Sequence, residues 1–346
     1  MRRGSAQPKT TVARSTRSDV RRPWDIAGDR TNSLRPLQCF LEHGNPRRSP
    51  IDSVSGPLQT AMAIKLGIGI TTFNRCRKLE VCISRLQELT SEPFNLFVAD
   101  DGSKDETVSI CVERKILFAT GQNMGIAWNK NRALFFLDRV LECDVIILIE
   151  DDCYPNQPGW EREWIVAAQK WGHVNFGGSW FREKVLSGAG NVDNPFVSRS
   201  LSGQCTAFCH RALSVCGYLD PRFKGYGYEH AEHSSRLVRA GFGGEMRMTE
   251  RGELEPHYYL LAADLTVLSD ESYRDEESVA ANWIAWTKMY GDPIYRFPWR
   301  TTQEFLQFRR EMRAAVHKSH FSLMQRLKLG AQWLQWRWAS APFPSS

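Results

Sequence analysis

The sharpest chemical signal in the chain is a run of three acids, Glu150-Asp151-Asp152, directly after the apolar stretch 145–149. Adjacent carboxylates repel and raise one another's pKa unless a cation neutralises them. Hard divalent ions such as Mn²⁺ and Mg²⁺ take oxygen ligands, commonly one or two carboxylates plus substrate phosphates. Residues 150 and 152 point the same way if the strand continues. Glu150 and Asp152 are therefore the candidate metal ligands, with a solvated acidic turn as the plain alternative. A second acidic group, Asp100-Asp101-Gly102-Ser103, follows the apolar stretch 94–99. Two carboxylates at a strand end need donors, and would suit the imide of a pyrimidine and ribose hydroxyls. The same residues also read as an Asp-Gly turn capping a helix.

Three further groups could serve the same ligand. Thr71-Thr72-Phe73-Asn74-Arg75 offers small hydroxyls, an amide and a guanidinium, which suit a base and a phosphate or a helix cap. Gly121-Gln122-Asn123-Met124-Gly125, followed by Asn131 and Arg132, lets backbone approach a ligand at a helix start that favours anions. A plain helix start at Asn123 reads equally well. In the second half, Gly225-Tyr226-Gly227-Tyr228-Glu229-His230-Ala231-Glu232-His233 opens a helix with acid and imidazole groups. That suits a sugar-binding wall with a general base, or a capping turn with exposed histidines. His257 stands alone in Glu255-Pro256-His257-Tyr258, where a lone histidine is usually structural.

The elements that must position these groups alternate. Strands are predicted at 64–72, 94–99, 116–119 and 145–149, and helices at 75–89, 104–112 and 124–140. Strands alternating with helices at this spacing predict an α/β, Rossmann-like, mostly parallel sheet with flanking helices, whose ligands bind beyond the carboxyl ends of the strands. All four polar motifs of this half fall at such ends. The second half is less regular, with helices predicted at 160–171, 229–240, 277–290 and 302–338. Short strands are predicted at 174–180, 246–248 and 257–261.

Together these groups, in this order, resemble the GT-A glycosyltransferases, and the first part is most similar to glycosyltransferase family 2. The resemblance spans residues 65–262. It implies a donor site of Thr71, Asn74, Arg75, Asp100, Asp101, Asn123 and Asp151. The acidic triplet matches the metal-binding DxD signature, with Glu150 in place of the first Asp. Ser202-Gly203-Gln204 matches a loop under the donor sugar, adding Gly203. Tyr228-Glu229-His230 aligns with the xED motif, so that His230 replaces the usual catalytic Asp; His230 or Glu229 is then the expected base. His257 falls where related enzymes place a third metal ligand. The implied activity is Mn²⁺- or Mg²⁺-dependent transfer of a sugar, UDP-linked by preference, to a hydroxyl acceptor such as a glycan or lipid-linked glycan. A nucleotide-sugar-binding protein without catalysis, or an enzyme glycosylating modified DNA, are the alternatives.

Composition sets the outer limits. The chain has 346 residues and a net charge of +6. Both ends are basic, leaving the body between them mildly acidic and without the basic stripe of a nucleic-acid reader. Residues 1–61 carry too little apolar pattern to order themselves, save a short element near 37–43, and Met62 is a candidate translation start. Nine cysteines in no CxxC pair, with Cys205, Cys209 and His210 only loosely grouped, suit a reducing, cytoplasmic compartment. The expected division is a basic extension (1–61), a catalytic domain (62–265, with donor half 62–155 and acceptor half 156–265) and a helical tail (266–346). Aromatic residues interleaved with Lys and Arg in the tail suit peripheral membrane contact, or a helix packed back on the body.

Overall fold

The computed structural model describes residues 64–268, 275–289, 291–318 and 322–339. The extension 1–61, the element near 37–43 and the final residue of the helix predicted at 277–290 lie outside the described residues.

Residues 64–150 alternate strand and helix as predicted. In chain order they comprise β1 (Leu66–Thr72), α1 (Cys76–Leu89), β2 (Phe94–Asp100), α2 (Thr107–Glu113), β3 (Leu117–Thr120), α3 (Ile126–Phe135) and β4 (Val145–Glu150). A π-helical turn, Phe136–Val140, prolongs α3. The second half adds β5 (Cys153–Pro155), α4 (Glu161–Trp171), β6 (His173–Phe176), β7 (Val185–Ser187), β8 (Phe196–Ser198), β9 (Ser202–Cys209) and α5 (His210–Cys216). It continues with α6 (Glu229–Arg239), β10 (Gly244–Met248), β11 (Leu254–Leu261), β12 (Leu265–Val267), α7 (Glu276–Thr287), α8 (Thr302–Lys318) and α9 (Leu323–Ala339).

The main sheet runs β3-β2-β1-β4-β9-β6-β11-β8-β7, with β10 paired to β11. Its first four strands are all parallel. Their carboxyl ends therefore share one edge: Thr71 lies beside Glu150, and Thr72 beside Asp100. β9 runs antiparallel between β4 and β6 and was not foreseen as a strand. Cys205 and Ala207 are buried on one face and Thr206 and Phe208 on the other, so it lacks the polar alternation that betrays a half-buried strand.

Alternation along β4 separates two cores. Val145, Ile147 and Ile149 pack with Leu79, Ile83 and Leu86 of α1 and Trp164 of α4. Ile146 and Leu148 pack with α3, α8 and α9. Gly69 of β1 faces α3 so closely that a Cβ there would lie 3.0 Å from Ala133 Cβ and 3.2 Å from Leu137, which lets the helix seat flat on the sheet.

The tail predicted as one helix over 302–338 is two. Phe305, Phe308 and Met312 of α8 and Trp333 of α9 are core residues. Trp333 meets Phe135, Trp299 and Phe305 at ring-centroid distances of 5.3, 6.2 and 5.9 Å. Met324, Leu327 and Leu334 are exposed. Among the described residues no helix is long and apolar enough to cross a membrane.

Candidate active site

The acidic triplet turns off the end of β4. Asp151 accepts from the Thr72 hydroxyl at 2.6 Å and, with Asp152, from the Arg75 guanidinium at 3.2 and 2.9 Å. Burial pushes the Asp151 carboxyl up to about 7, against the pull of Thr72 and Arg75 and with the help of the neighbouring Asp152 charge. Burial and Glu150 also raise Asp152, whose buried Oδ1 has no hydrogen-bond partner. That orphaned oxygen suits a cation, because a buried acceptor left without a donor is costly.

Glu150 points to a different partner. The ammonium of Lys130, on α3 and 1% exposed, donates to Glu150 Oε1 at 2.6 Å and to the Gly203 carbonyl at 2.8 Å. It also lies 2.6 Å from His230 Nε2. An ammonium has only protons to offer, so Nε2 accepts, and the imidazole is neutral with its proton on Nδ1. Burial, then the Lys130 charge, holds the His230 pKa well below its usual value. His230 Nε2 is 4.0 Å from Glu150 and 3.4 Å from Glu229. Glu229 is itself buried, its pKa raised chiefly by that burial, and its Oε2 has no partner. The His230 ring lies flat against Gly203, where any Cβ would collide with it.

The motif preceding this pair is braced from α7. Tyr228, the residue before α6, takes the left-handed φ of 67°. Its ring packs against both Trp283 and Trp286, each 5.5 Å away. Asn282 donates to the carbonyls of Lys224, Tyr226 and Gly227 at 2.8–3.2 Å. The aromatic residues Trp180 and Tyr226 are about half exposed.

At the carboxyl end of β2, Asp100 accepts from Ser103 and from the Thr120 hydroxyl. Asp101 accepts from the backbone N–H groups of Met124 and Gly125 at 3.0 and 2.8 Å and from Arg132 at 2.6 Å. Both Asp101 oxygens thus tie down the loop before α3. Asn74, at a left-handed φ of 52°, accepts from the Lys104 N–H, and its own N–H donates to Ser103. Thr71 is buried at the strand end, while Asn123 is exposed on the 121–125 loop.

His257 does not join this group, which corrects the expected triad with Glu150 and Asp152. β11 runs parallel to β6, with Leu261 beside Phe176 at the edge shared with Glu150. His257 lies four residues back, about 13 Å toward the opposite edge, and its ring meets Glu255. Among the described residues no three His, Cys, Asp or Glu side chains are arranged to hold a metal ion. The eight described cysteines are free thiols, and His210 bonds Asp138 at 2.7 Å.

Two residues at the centre of the site escaped the sequence reading, Lys130 and Asn129, whose amide donates to the carbonyls of Thr72 and Ala99. The available signal was a lysine within a helix otherwise meant for the core, since every residue of α3 from Ala127 to Phe135 is buried. Asn131, singled out from sequence, instead braces Leu219.

A parallel donor half, an antiparallel strand beside the central acidic strand and polar motifs along one sheet edge make up the GT-A glycosyltransferase fold. Residues 68–188 match the model of glycosyl transferase family 2. No curated protein sequence matches the chain. Among solved structures it is similar to the mannosyltransferase PcManGT from Pyrobaculum calidifontis, in complex with GDP-Man and Mn²⁺. There the identity is 13% over 79% of this chain and 80% of that one, with a TM-score of 0.47. GalNAc-T7 with UDP, GalNAc and Mn²⁺ is 11% identical over 67% of this chain and 49% of that one, with a TM-score of 0.48. S. aureus TarS is 18% identical over 49% of this chain and 32% of that one, with a TM-score of 0.36.

Proposed function

We propose that this glycosyltransferase moves a sugar from a nucleoside diphosphate, UDP by preference, to a hydroxyl of a glycan or lipid-linked glycan. The observation that carries the reading is the meeting of two distant motifs. The acidic triplet of the donor half and the Glu229-His230 pair of the acceptor half converge within 4.0 Å through Glu150 and His230.

Thr71, Asn74 and Asp100 line the edge where a base and ribose would lie, and Arg75 stands where it can meet a phosphate. The orphaned Oδ1 of Asp152 fits a divalent cation such as Mn²⁺ or Mg²⁺, which Asp152 would hold together with the Glu150 oxygen not bonded to Lys130. Bound there, the cation would supply charge neutralisation to the leaving diphosphate. For the acceptor, His230 is already neutral, with Nε2 as the proton-accepting nitrogen. To act as base, Nε2 must give up the hydrogen bond from Lys130, which keeps its proton, and take the proton of the acceptor hydroxyl instead. Glu229, buried and with one oxygen unpartnered, is the other candidate for that proton. The hold of Lys130 on Nε2 also suits the second reading, a nucleotide-sugar binder without turnover.

Hydrolysis of a panel of UDP-, GDP- and dTDP-sugars, with and without Mn²⁺, tests the proposal. Metal-dependent release of the nucleoside diphosphate from one donor is the expected result. Tight donor binding with no turnover, with any acceptor tried, would favour the non-catalytic reading.

A further inference from the structure

The C-terminal helix α8 lies outside the matched family 2 region, yet one of its side chains reaches the donor loops. Glu311, 8% exposed, accepts through Oε2 from Arg132 Nε at 2.9 Å and from the Trp128 indole at 3.0 Å. Gln307 donates to its other oxygen at 3.2 Å. Arg132 is fully buried and spends its remaining donors on the opposite side. They go to Asp101 at 2.6 Å, the Gln122 carbonyl at 2.9 Å, Asn129 Oδ1 at 3.0 Å and the Asp100 carbonyl at 3.3 Å. Asp101 in turn accepts from the N–H groups of Met124 and Gly125. The chain Glu311–Arg132–Asp101 therefore joins α8 to both loops expected to embrace the nucleotide.

A guanidinium is a rigid planar fork, so its two donor edges cannot be moved separately. Withdrawing the Glu311 carboxylate frees Arg132 to swing toward Asp101, and the pull of Asp101 on the 121–125 loop changes with it. Simple helix packing would not need this acid: Phe308 and Met312 already seat α8 in the core.

We infer that Glu311 is a positioning residue for donor binding, so that α8 is a working part of the nucleotide site. The inference rests on the reading that these loops hold the nucleotide. Coupling between two sites is reciprocal, so nucleotide binding must also tighten α8.

The test uses the full chain and UDP with Mn²⁺ in calorimetry. Glu311→Ala should weaken UDP about tenfold or more, the scale of a lost charge-assisted hydrogen bond. Glu311→Gln keeps acceptor geometry and should lose only a few-fold. Met312→Ala, a core truncation on the same helix, should lower Tm while leaving UDP affinity unchanged. In hydrogen exchange, UDP should slow the amides of residues 307–312 in the wild-type chain, less so in Glu311→Gln, and not in Glu311→Ala. Wild-type affinity in Glu311→Ala would overturn the inference, as would an equal loss of affinity in Met312→Ala. Should Glu311→Ala not fold, exchange in the wild-type chain decides: UDP that leaves residues 307–312 unaltered overturns it. A wild-type chain that binds no nucleoside diphosphate would remove the donor-site reading and this inference together.

Discussion

Asp151 makes the native state weaker at neutral pH than it need be. Its carboxyl has a pKa of about 7 in the fold against 3.8 for the unperturbed group. The folded protein therefore binds this proton more tightly than the unfolded chain does. Stability is lost as pH rises from about 4 to about 7, and the loss is constant above that window. At 1.36 kcal/mol per pH unit, the full penalty is about 4 kcal/mol. Asp151→Asn is isosteric, cannot ionise and can still accept from the Thr72 hydroxyl. Urea unfolding of both proteins at pH 5, 6, 7 and 8 follows the effect, because titrating groups that do not interact with Asp151 cancel in the difference. The variant should gain on the wild type by roughly 2–3 kcal/mol between pH 5 and pH 8. A difference that stays flat across this range would refute the assignment of the raised pKa to Asp151. The same variant should turn over donor more slowly, since stability gained at a site built of strained charges is commonly lost from activity.

Three other outcomes follow from the site and its supports. Asp152→Ala should abolish donor hydrolysis while leaving Tm within a degree or two, because it removes a candidate metal ligand and no core packing; an active variant, or full wild-type activity in chelator, speaks against that role. His230→Ala should slow turnover by about 10²–10⁴ with donor affinity little changed; if Glu229→Ala is the more damaging change, the base is the glutamate, and if neither matters the motif supplies no base. Trp333→Ala should cost about 3–5 kcal/mol in chemical denaturation, as expected for a buried aromatic. Flotation with anionic vesicles tests the tail separately: binding lost on removing residues 320–346, with donor hydrolysis retained, would show that the tail meets a membrane, whereas collapse of the fold on truncation would favour a packed helix.

The donor half was readable because its signals are local. Apolar strands alternate with helices, and each strand ends in a polar group, so the carboxyl-edge rule assembles Thr72, Asp100 and Glu150 without any knowledge of pairing. The acceptor half was harder because its signals are not local. β9 is buried on both faces and reads as an irregular stretch. His257 looked like a ligand by its distance along the chain, and only the register of β11 against β6 reveals which edge it occupies. Lys130 went unnoticed for the opposite reason. Its neighbours are so clearly core-forming that a charge among them invites no attention until its three partners are seen. Arg132 was picked out, but the acid that governs it, Glu311, comes from a helix far along the sequence.

Gly203 and His230 form a size pair. An imidazole is much bulkier than the aspartate that the xED pattern would put at this position, and the extra volume is accommodated by the missing side chain opposite. Neither residue can change alone. Ala at 203 would evict the ring from Lys130 and Glu150, whereas Asp at 230 would leave a gap over the glycine. Across relatives, the two positions should therefore vary together, with larger residues tolerated at 203 only where position 230 is small. The reach from Lys130 should vary with them, since a shorter acid at 230 would need the ammonium to come further or would turn the contact into an ion pair. A chain that keeps histidine at 230 but carries a side chain at 203 would have to hold that ring somewhere else, away from the acidic edge.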